Sequence, residues 1–268
     1  MRRKLLGPLL LLLIIVAACQ NEPEKRADDA ELAEEQVHEE EKEEKEQPEK
    51  GQEEPEEAEY EINEMFSIVP IDKANEKVAL LTIDDAPDKH ALEMAQQLKE
   101  MDANAIFFVN GHFLETKEEK EVLKEIYDLG FVIGNHTYSH PSLPSLSESE
   151  QKEEIVQVND MVEEITGERP LFFRAPFGEN TDYSKELAAE EGMELMNWTY
   201  GYDWEEQYMS KEALTDIMLN AKELDDGANL LMHDREWTAA ALADIVTGLR
   251  EQGYEIVDPA DIKTKNVN

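Results

Sequence analysis

Between Lys77 and Pro259 the chain alternates apolar runs of strand length with amphipathic stretches of helix length. The runs are "KVALLTI", "AIFFVNG", "FVIGN", "LFFRA", "MELMNWTY", "NLLMH" and "YEIVD". The stretches between them run from "HALEMAQQLKEMD" to "TAAALADIVTGLREQG" and close near Gly or Asp, as helices do. Strict alternation of this kind requires parallel strands with covering helices. The expected class is therefore α/β, either an open doubly wound sheet or a closed or partly closed barrel. In both, chemistry collects at the C-terminal ends of the strands.

Those ends carry a coherent polar set: "TIDDAP", "VNGH", "GNHTYSH", "RAPFG", "YGYDW" and "LMHD". None holds a Gly-rich phosphate loop, which disfavours a nucleotide fold. In "FVIGNHTYSHPSL", His136 and His140 stand four apart, in a chain with 6 histidines. On an extended strand such residues lie about 13 Å apart, too far to share an ion. On a helical turn their Cβ atoms come within about 5 to 6 Å. A shared metal therefore calls for one tight helical turn directly after Asn135, limited by Pro141 and Pro144. Taken alone, an HxxxH pair more often marks two polar turn residues.

Asp84 and Asp85 are adjacent, and adjacent side chains on a strand point to opposite faces. Both reach one site only where the strand gives way to a loop, with one acid as ligand and the other as base. The alternative is capping of the following helix, for which Asp88 is better placed than either. Two histidines and one carboxylate make a three-ligand set for zinc or a similar divalent ion, with a position open for water. A proton donor for a leaving group is then needed, and His233, with Asp203 to orient it, is the candidate.

The ordered series "TIDDAP", "HTYSH", "RAPFG", "DW" and "LMH" resembles the five motifs of the polysaccharide deacetylase family, the NodB-homology carbohydrate esterases, over residues 77 to 259. The resemblance implies an irregular (β/α) barrel of about seven parallel strands. It implies that Asp85, His136 and His140 bind the metal and that Asp84 is the base, held by Arg174. The main-chain N–H of Phe177 would stabilise an oxyanion, and His233, oriented by Asp203, would protonate the departing amine. Trp204 and Leu231 would shape the pocket for the acetyl methyl. The implied reaction is hydrolysis of an N-acetyl group on a sugar. The metal would be zinc, with cobalt, nickel or iron also suited to such ligands. Ile83 and Ala86 depart from the aromatic and glycine usual in the first motif, which raises the question of whether position 86 needs a positive φ. Phe177 replaces a frequent Tyr, a change of small effect where the donor is main chain.

The bland reading applies to other polar and aromatic residues. His112 and His90 are expected in a loop and at a helix start. Trp198, Tyr200 and Tyr202 either stack on sugar or pack in the core.

Ahead of this region, "MRRKLLGPLLLLLIIVAACQ" has the layout of a secretory signal, and its end resembles a lipobox. Cys19 is the only cysteine, so an intrachain disulfide is excluded and lipidation accounts for the thiol. Residues 1–18 are expected to be the signal peptide. Residues 19–64 are expected to be a lipidated, disordered Glu-rich tether with a reach of roughly 35 to 40 Å. Residues 65–268 form the catalytic domain in this reading. The formal net charge of -39, most of it carried by residues 65–268, argues against nucleic acid as a partner, because phosphate binding needs a basic surface.

The expected protein is thus an extracytoplasmic, membrane-anchored N-deacetylase of cell-wall polysaccharide, acting on peptidoglycan or on chitin oligomers, with no protein partner. The rival is a catalytically weak or inactive wall-binding lipoprotein on the same fold. A metal-capturing transport lipoprotein would want a saturated ligand set and two lobes.

Overall fold

A computed structural model describes residues 58–265. The expected signal peptide, Cys19 and nearly all of the acidic stretch lie outside the described residues. Strand β1 (Tyr60–Ile62) pairs antiparallel with β2 (Ile68–Pro70). The expected tether, drawn to residue 64, thus overlaps a strand. Tyr60 is buried and bridges to Ile262, so the short hydrophobic alternation of "YEI" is enough to dock this segment against the C-terminal end of the fold.

The expected alternation then follows: β3 (Val78–Ala86), α1 (Ala91–Glu100), β4 (Ile106–Val109), α2 (Lys117–Asp128), β5 (Val132–Asn135), α3 (Glu148–Thr166), β6 (Phe172–Phe173), α4 (Asp182–Glu190), β7 (Glu194–Leu195), α5 (Lys211–Asn220), β8 (Ala228–His233), α6 (Glu236–Glu251) and β9 (Glu255–Ile256). Helix starts follow local chemistry. Thr116 with Glu119 and Ser147 with Glu150 form reciprocal capping boxes on α2 and α3.

All pairs in the main sheet are parallel, in the order β7-β6-β5-β4-β3-β8, and β9 pairs with the first residues of β3. The sheet curls into an irregular, partly closed barrel. The fifth expected strand is where it is irregular. Only Glu194 and Leu195 pair with β6, and the chain then crosses to β8, where Thr199 N–H donates to Asn229 O and Leu231 N–H donates to Tyr200 O.

The strands sort their side chains by period two. Ala79, Leu81, Ile83, Phe107, Val109, Leu230 and Met232 pack outward in one core with α1, α2, α5 and α6. Val78, Leu80, Ile106, Phe108, Phe172 and Met196 pack with Tyr60 and Ile68 in a second cluster inside the curl. Thr82 and Asp84 continue that inner row beyond Leu80. The barrel is therefore apolar at the N-terminal ends of its strands and polar at their C-terminal ends.

Candidate active site

Asp84 and Asp85 meet through a bulge within a continuous strand, rather than through a loop beginning at the strand's end. Ile83 stands opposite Phe107 and Ala86 opposite Val109, so β3 carries one residue more than β4 over this span. Asp85 takes the extra position with φ 57°. The left-handed residue is thus Asp85 and not Ala86, which has no positive φ and is wholly buried in the outer core, as is Ile83. Both departures from the family's first motif are packing positions in this chain. Asp88 does not cap α1. The N–H groups of Lys89 and His90 donate instead to the carboxylate of Asp234, at 2.9 and 2.6 Å.

His136 and His140 converge, with ring centroids 4.9 Å apart, but no helical turn brings them together. Residues 136–140 are irregular, and Thr137 (φ 67°) and His140 (φ 58°) both adopt left-handed backbone. Two left-handed residues reverse the chain tightly enough to do what one helical turn would have done. Buried amides hold the loop. Asn110 Nδ2 donates to His136 O (2.7 Å) and Thr137 O (3.3 Å), while Thr137 N–H donates to Asn135 Oδ1 (2.8 Å). Asn135 in turn donates to Asn159 Oδ1 and Ile155 O on α3.

His136 Nδ1 lies 2.7 Å from Arg174 O, a main-chain acceptor, so Nδ1 carries the proton and the lone pair of Nε2 faces the site. That Nε2 is 3.5 Å from Asp84 Oδ2 and 4.0 Å from Asp85 Oδ1, and His140 Nε2 is 3.6 Å from the same Asp85 Oδ1. Asp85, His136 and His140 each offer one ligand atom, all within 4.8 Å of one another. Two imidazole nitrogens and a carboxylate oxygen, one ring orientation fixed by a main-chain bond, fit a divalent cation of the zinc class. Burial and the neighbouring His136 hold the His140 pKa below its usual value, against the pull of Asp85 and Asp84, so its ring is neutral and free to ligate. Burial alone would raise the Asp85 carboxyl. His136, His233, His140 and Arg235 together outweigh it and hold that carboxyl below the usual range.

Beneath the acids lies Arg174, with no exposed surface. Nη1 donates to Asp84 Oδ1 (2.6 Å) and Thr82 Oγ1 (2.8 Å), Nε to Met196 O (3.1 Å) and Nη2 to Asn197 O (2.8 Å). Its guanidinium carbon sits 4.2 Å from the centroid of the Phe108 ring. Gly134 makes room for that ring, since a Cβ there would stand 2.5 Å from it.

The parallel register sets Asp84 opposite His233. His233 Nδ1 is 2.7 Å from Asp203 Oδ1, and Asp203 Oδ2 accepts from His233 N–H (2.6 Å) and Thr238 Oγ1 (2.7 Å). Burial opposes protonation of this ring, yet Asp203, with Asp84 and Asp85 beyond it, raises its pKa above the ordinary value.

A cavity of about 610 Å³ joins these groups, lined by Asp84, Asp85, His136, His140 and His233 and walled by Trp198, Trp204, Leu231 and Phe177. Trp204 stands edge-on to His233 and Phe177 edge-on to His140. The structure thus gathers into one hollow the expected acids, histidines and wall residues, while Arg174 underlies it and Asp203 lines it. Tyr200 is in the outer core with its hydroxyl on Met218 O, and Tyr202 bonds Glu223, so of the three aromatic residues only Trp198 lines the hollow. His112 lines a neighbouring hollow and donates Nδ1–H to Tyr138 O.

Two site residues have no motif to announce them. Arg235 follows the "LMHD" stretch, and its Nη2 donates to Asp85 Oδ2 at 2.7 Å. Asn110 directly follows β4 and clamps the His136 peptide. Only the strand order β4-β3-β8, with β5 beyond β4, turns these positions into neighbours of the site.

The polysaccharide deacetylase family model matches residues 71–196. The peptidoglycan-N-acetylmuramic acid deacetylase PdaC of Bacillus subtilis is 34% identical over 194 residues, which are 70% of this chain and 39% of that protein. The chain therefore spans about two fifths of that relative's length. The peptidoglycan-N-acetylmuramic acid deacetylase PdaA of Bacillus subtilis is 30% identical over 197 residues, 71% of this chain and 73% of the relative. Among solved structures, a family 4 carbohydrate esterase pseudoenzyme from Bacillus anthracis superposes with a TM-score of 0.63 at 29% identity, covering 71% of this chain and 69% of its own. With the fold, the strand-end motifs and these relatives in agreement, the chain belongs to the polysaccharide deacetylase family of hydrolases.

Proposed function

We propose that this protein is a metal-dependent N-deacetylase acting on N-acetylated sugars of peptidoglycan, with chitin oligomers as further substrates. The observation that carries this reading is the single hollow that holds both a three-ligand cluster and two separate proton-transfer groups, Asp84 and His233. The names of the relatives support peptidoglycan as the polymer.

Asp85, His136 and His140 would hold the divalent cation, zinc or an ion of similar preference. When bound, it supplies Lewis acidity for a water and for the acetamide carbonyl. Asp84 Oδ2 takes the proton of the attacking water, while Arg174 on Oδ1 holds the carboxylate in place. The Phe177 N–H donates to the oxygen that becomes negative as the carbonyl is attacked. His233, its Nδ1–H on Asp203, presents Nε2 to the departing nitrogen and gives it a proton, which releases an amine and acetate. Leu231 and Trp204 exclude water around the acetyl methyl, and Trp198 and Phe177 offer aromatic faces to the sugar.

The sequence ahead of residue 58 supports an extracytoplasmic address, with a lipid on Cys19 and the acidic stretch as tether. Substitution Cys19→Ser should abolish labelling by a fatty acid and release the protein from the membrane.

Acetate release from peptidoglycan and from chitin oligomers, measured with and without a chelator and in Asp84→Asn, tests the catalytic reading. Release is expected to stop on chelation, return with added zinc and be lost in Asp84→Asn. Chelator-insensitive release, or full activity in Asp84→Asn, overturns the mechanism. The likeness to a pseudoenzyme motivates a second reading, a wall-binding lipoprotein without catalysis. Zinc binding with no acetate release from any substrate would establish it instead.

A further inference from the structure

Asp85 uses its two oxygens differently. Oδ1 faces the imidazoles, 3.6 Å from His140 Nε2 and 4.0 Å from His136 Nε2. Oδ2 accepts from Arg235 Nη2 at 2.7 Å, across 150 positions of sequence. A carboxylate beside a divalent ion can lend one oxygen or two. Here the second oxygen is already engaged.

Arg235 is held at a second point. Its Nη1 donates to Asp234 O at 2.9 Å, and Asp234 N–H donates to Asp84 O at 3.0 Å. The Asp234 carboxylate, 1% exposed, receives the N–H groups of Lys89 and His90. The end of β8 and the connection from β3 to α1 are thus laced together, and the guanidinium fork spans the lacing and Asp85 at once, a geometry that a lysine point charge does not reproduce.

We propose that Arg235 is a positioning residue that confines Asp85 to one-oxygen ligation of the divalent cation. A two-oxygen Asp85 would add a fourth protein donor and fill the position through which water and the acetyl oxygen enter. The inference rests on the metal centre of the proposed function and not on the identity of the sugar.

The test uses the purified protein and its Arg235→Ala and Arg235→Lys variants, stripped of metal and reloaded with zinc, with circular dichroism to check folding. Crystal structures and zinc affinity by competition with a chromophoric chelator are compared with kcat and KM for acetate release. In the parent protein, one Asp85 oxygen lies at bonding distance from zinc and the other on Arg235. In Arg235→Ala both oxygens bind, zinc is held at least as tightly, and kcat falls about 10-fold or more with KM little changed. Arg235→Lys recovers part of kcat. A residue that merely stabilised the loop would lower zinc affinity and kcat together, and that result overturns the proposal. One-oxygen ligation with unchanged kcat in Arg235→Ala overturns it too, as does an Arg235 turned away from Asp85 in the zinc-loaded parent. Should the parent bind zinc but release no acetate, the deacetylase reading fails, and the structures and affinities still decide the ligation.

Discussion

Arg174 Nη1 and Asp84 Oδ1 lie 2.6 Å apart with both side chains almost wholly removed from water. A buried pair of this kind contributes little net stability, because the Coulombic gain offsets desolvation, but loss of one partner strands the other charge. Burial lowers the Arg174 pKa and Asp84 works against that shift, so the carboxylate compensates the buried guanidinium. Arg174→Leu should therefore destabilise the fold by about 3 to 5 kcal/mol and abolish acetate release. Denaturant unfolding measures the first effect. A loss below about 1 kcal/mol would mean that Asp84 finds another partner or a proton.

The His233 pair gives a pH prediction. Its pKa in the folded protein stands above the ordinary value of 6.5, so the proton-donating form persists to higher pH and is lost as pH rises through the raised value. The stability due to this proton is complete below the unfolded pKa and disappears over the same rise. The alkaline limb of kcat/KM should fall above pH 6.5, and Asp203→Asn should move that limb to lower pH and reduce the rate. A pH–rate series on the two proteins checks it; a limb that stays in place removes Asp203 as the orienter.

Asn110 tests the clamp on His136. Asn110→Ala leaves the buried carbonyls of His136 and Thr137 without this donor, at a cost of about 1 to 3 kcal/mol. It should also weaken zinc binding about 10-fold, since the loop that aims His136 loses a support. Zinc competition assays read the effect, and unchanged affinity would show that Asn135 holds the loop alone.

Gly201 sits where the chain passes under β8. A Cβ there would stand 2.3 Å from Leu231 O and 2.9 Å from the Trp204 ring. The nearest atom is main chain and cannot swing aside. Gly201→Ala should cost about 1 to 3 kcal/mol by overpacking and displace the loop carrying Asp203 and Trp204. Thermal unfolding and kcat should fall together.

The layered fold was legible because apolar runs and amphipathic stretches obey different periods, and six helices and the parallel strands stand where those periods change. The meeting of His136 and His140 with one of the two adjacent acids was legible from spacing and strand-end position, and the choice of Asp85 from the resemblance to the family's motifs, but the backbone that achieves it was not. Left-handed Thr137, His140 and Asp85 occur at residues with no glycine to announce them, and tertiary bonds such as those of Asn110 impose the conformation. Arg235 escaped for a related reason. Its partner is set by the register of β3 on β8, a pairing between residues about 150 positions apart that no local pattern encodes. Tyr60 escaped because a three-residue strand inside a glutamate-rich stretch is outvoted by its surroundings.

The interrupted strand between β7 and β8 also explains how a full positive charge can live in the centre of the molecule. In a fully closed barrel the main-chain oxygens at this level would face donors of a neighbouring strand, and the guanidinium would be left with its side-chain acceptors Asp84 and Thr82. Because the chain leaves β6 after Leu195 and joins the β8 main chain only at Thr199, the oxygens of Met196 and Asn197 are open to side chains, and both accept from Arg174, Asn197 O together with Asn229 Nδ2. The gap in the sheet is therefore a solvent substitute: it supplies the guanidinium with the acceptors that water would otherwise have provided.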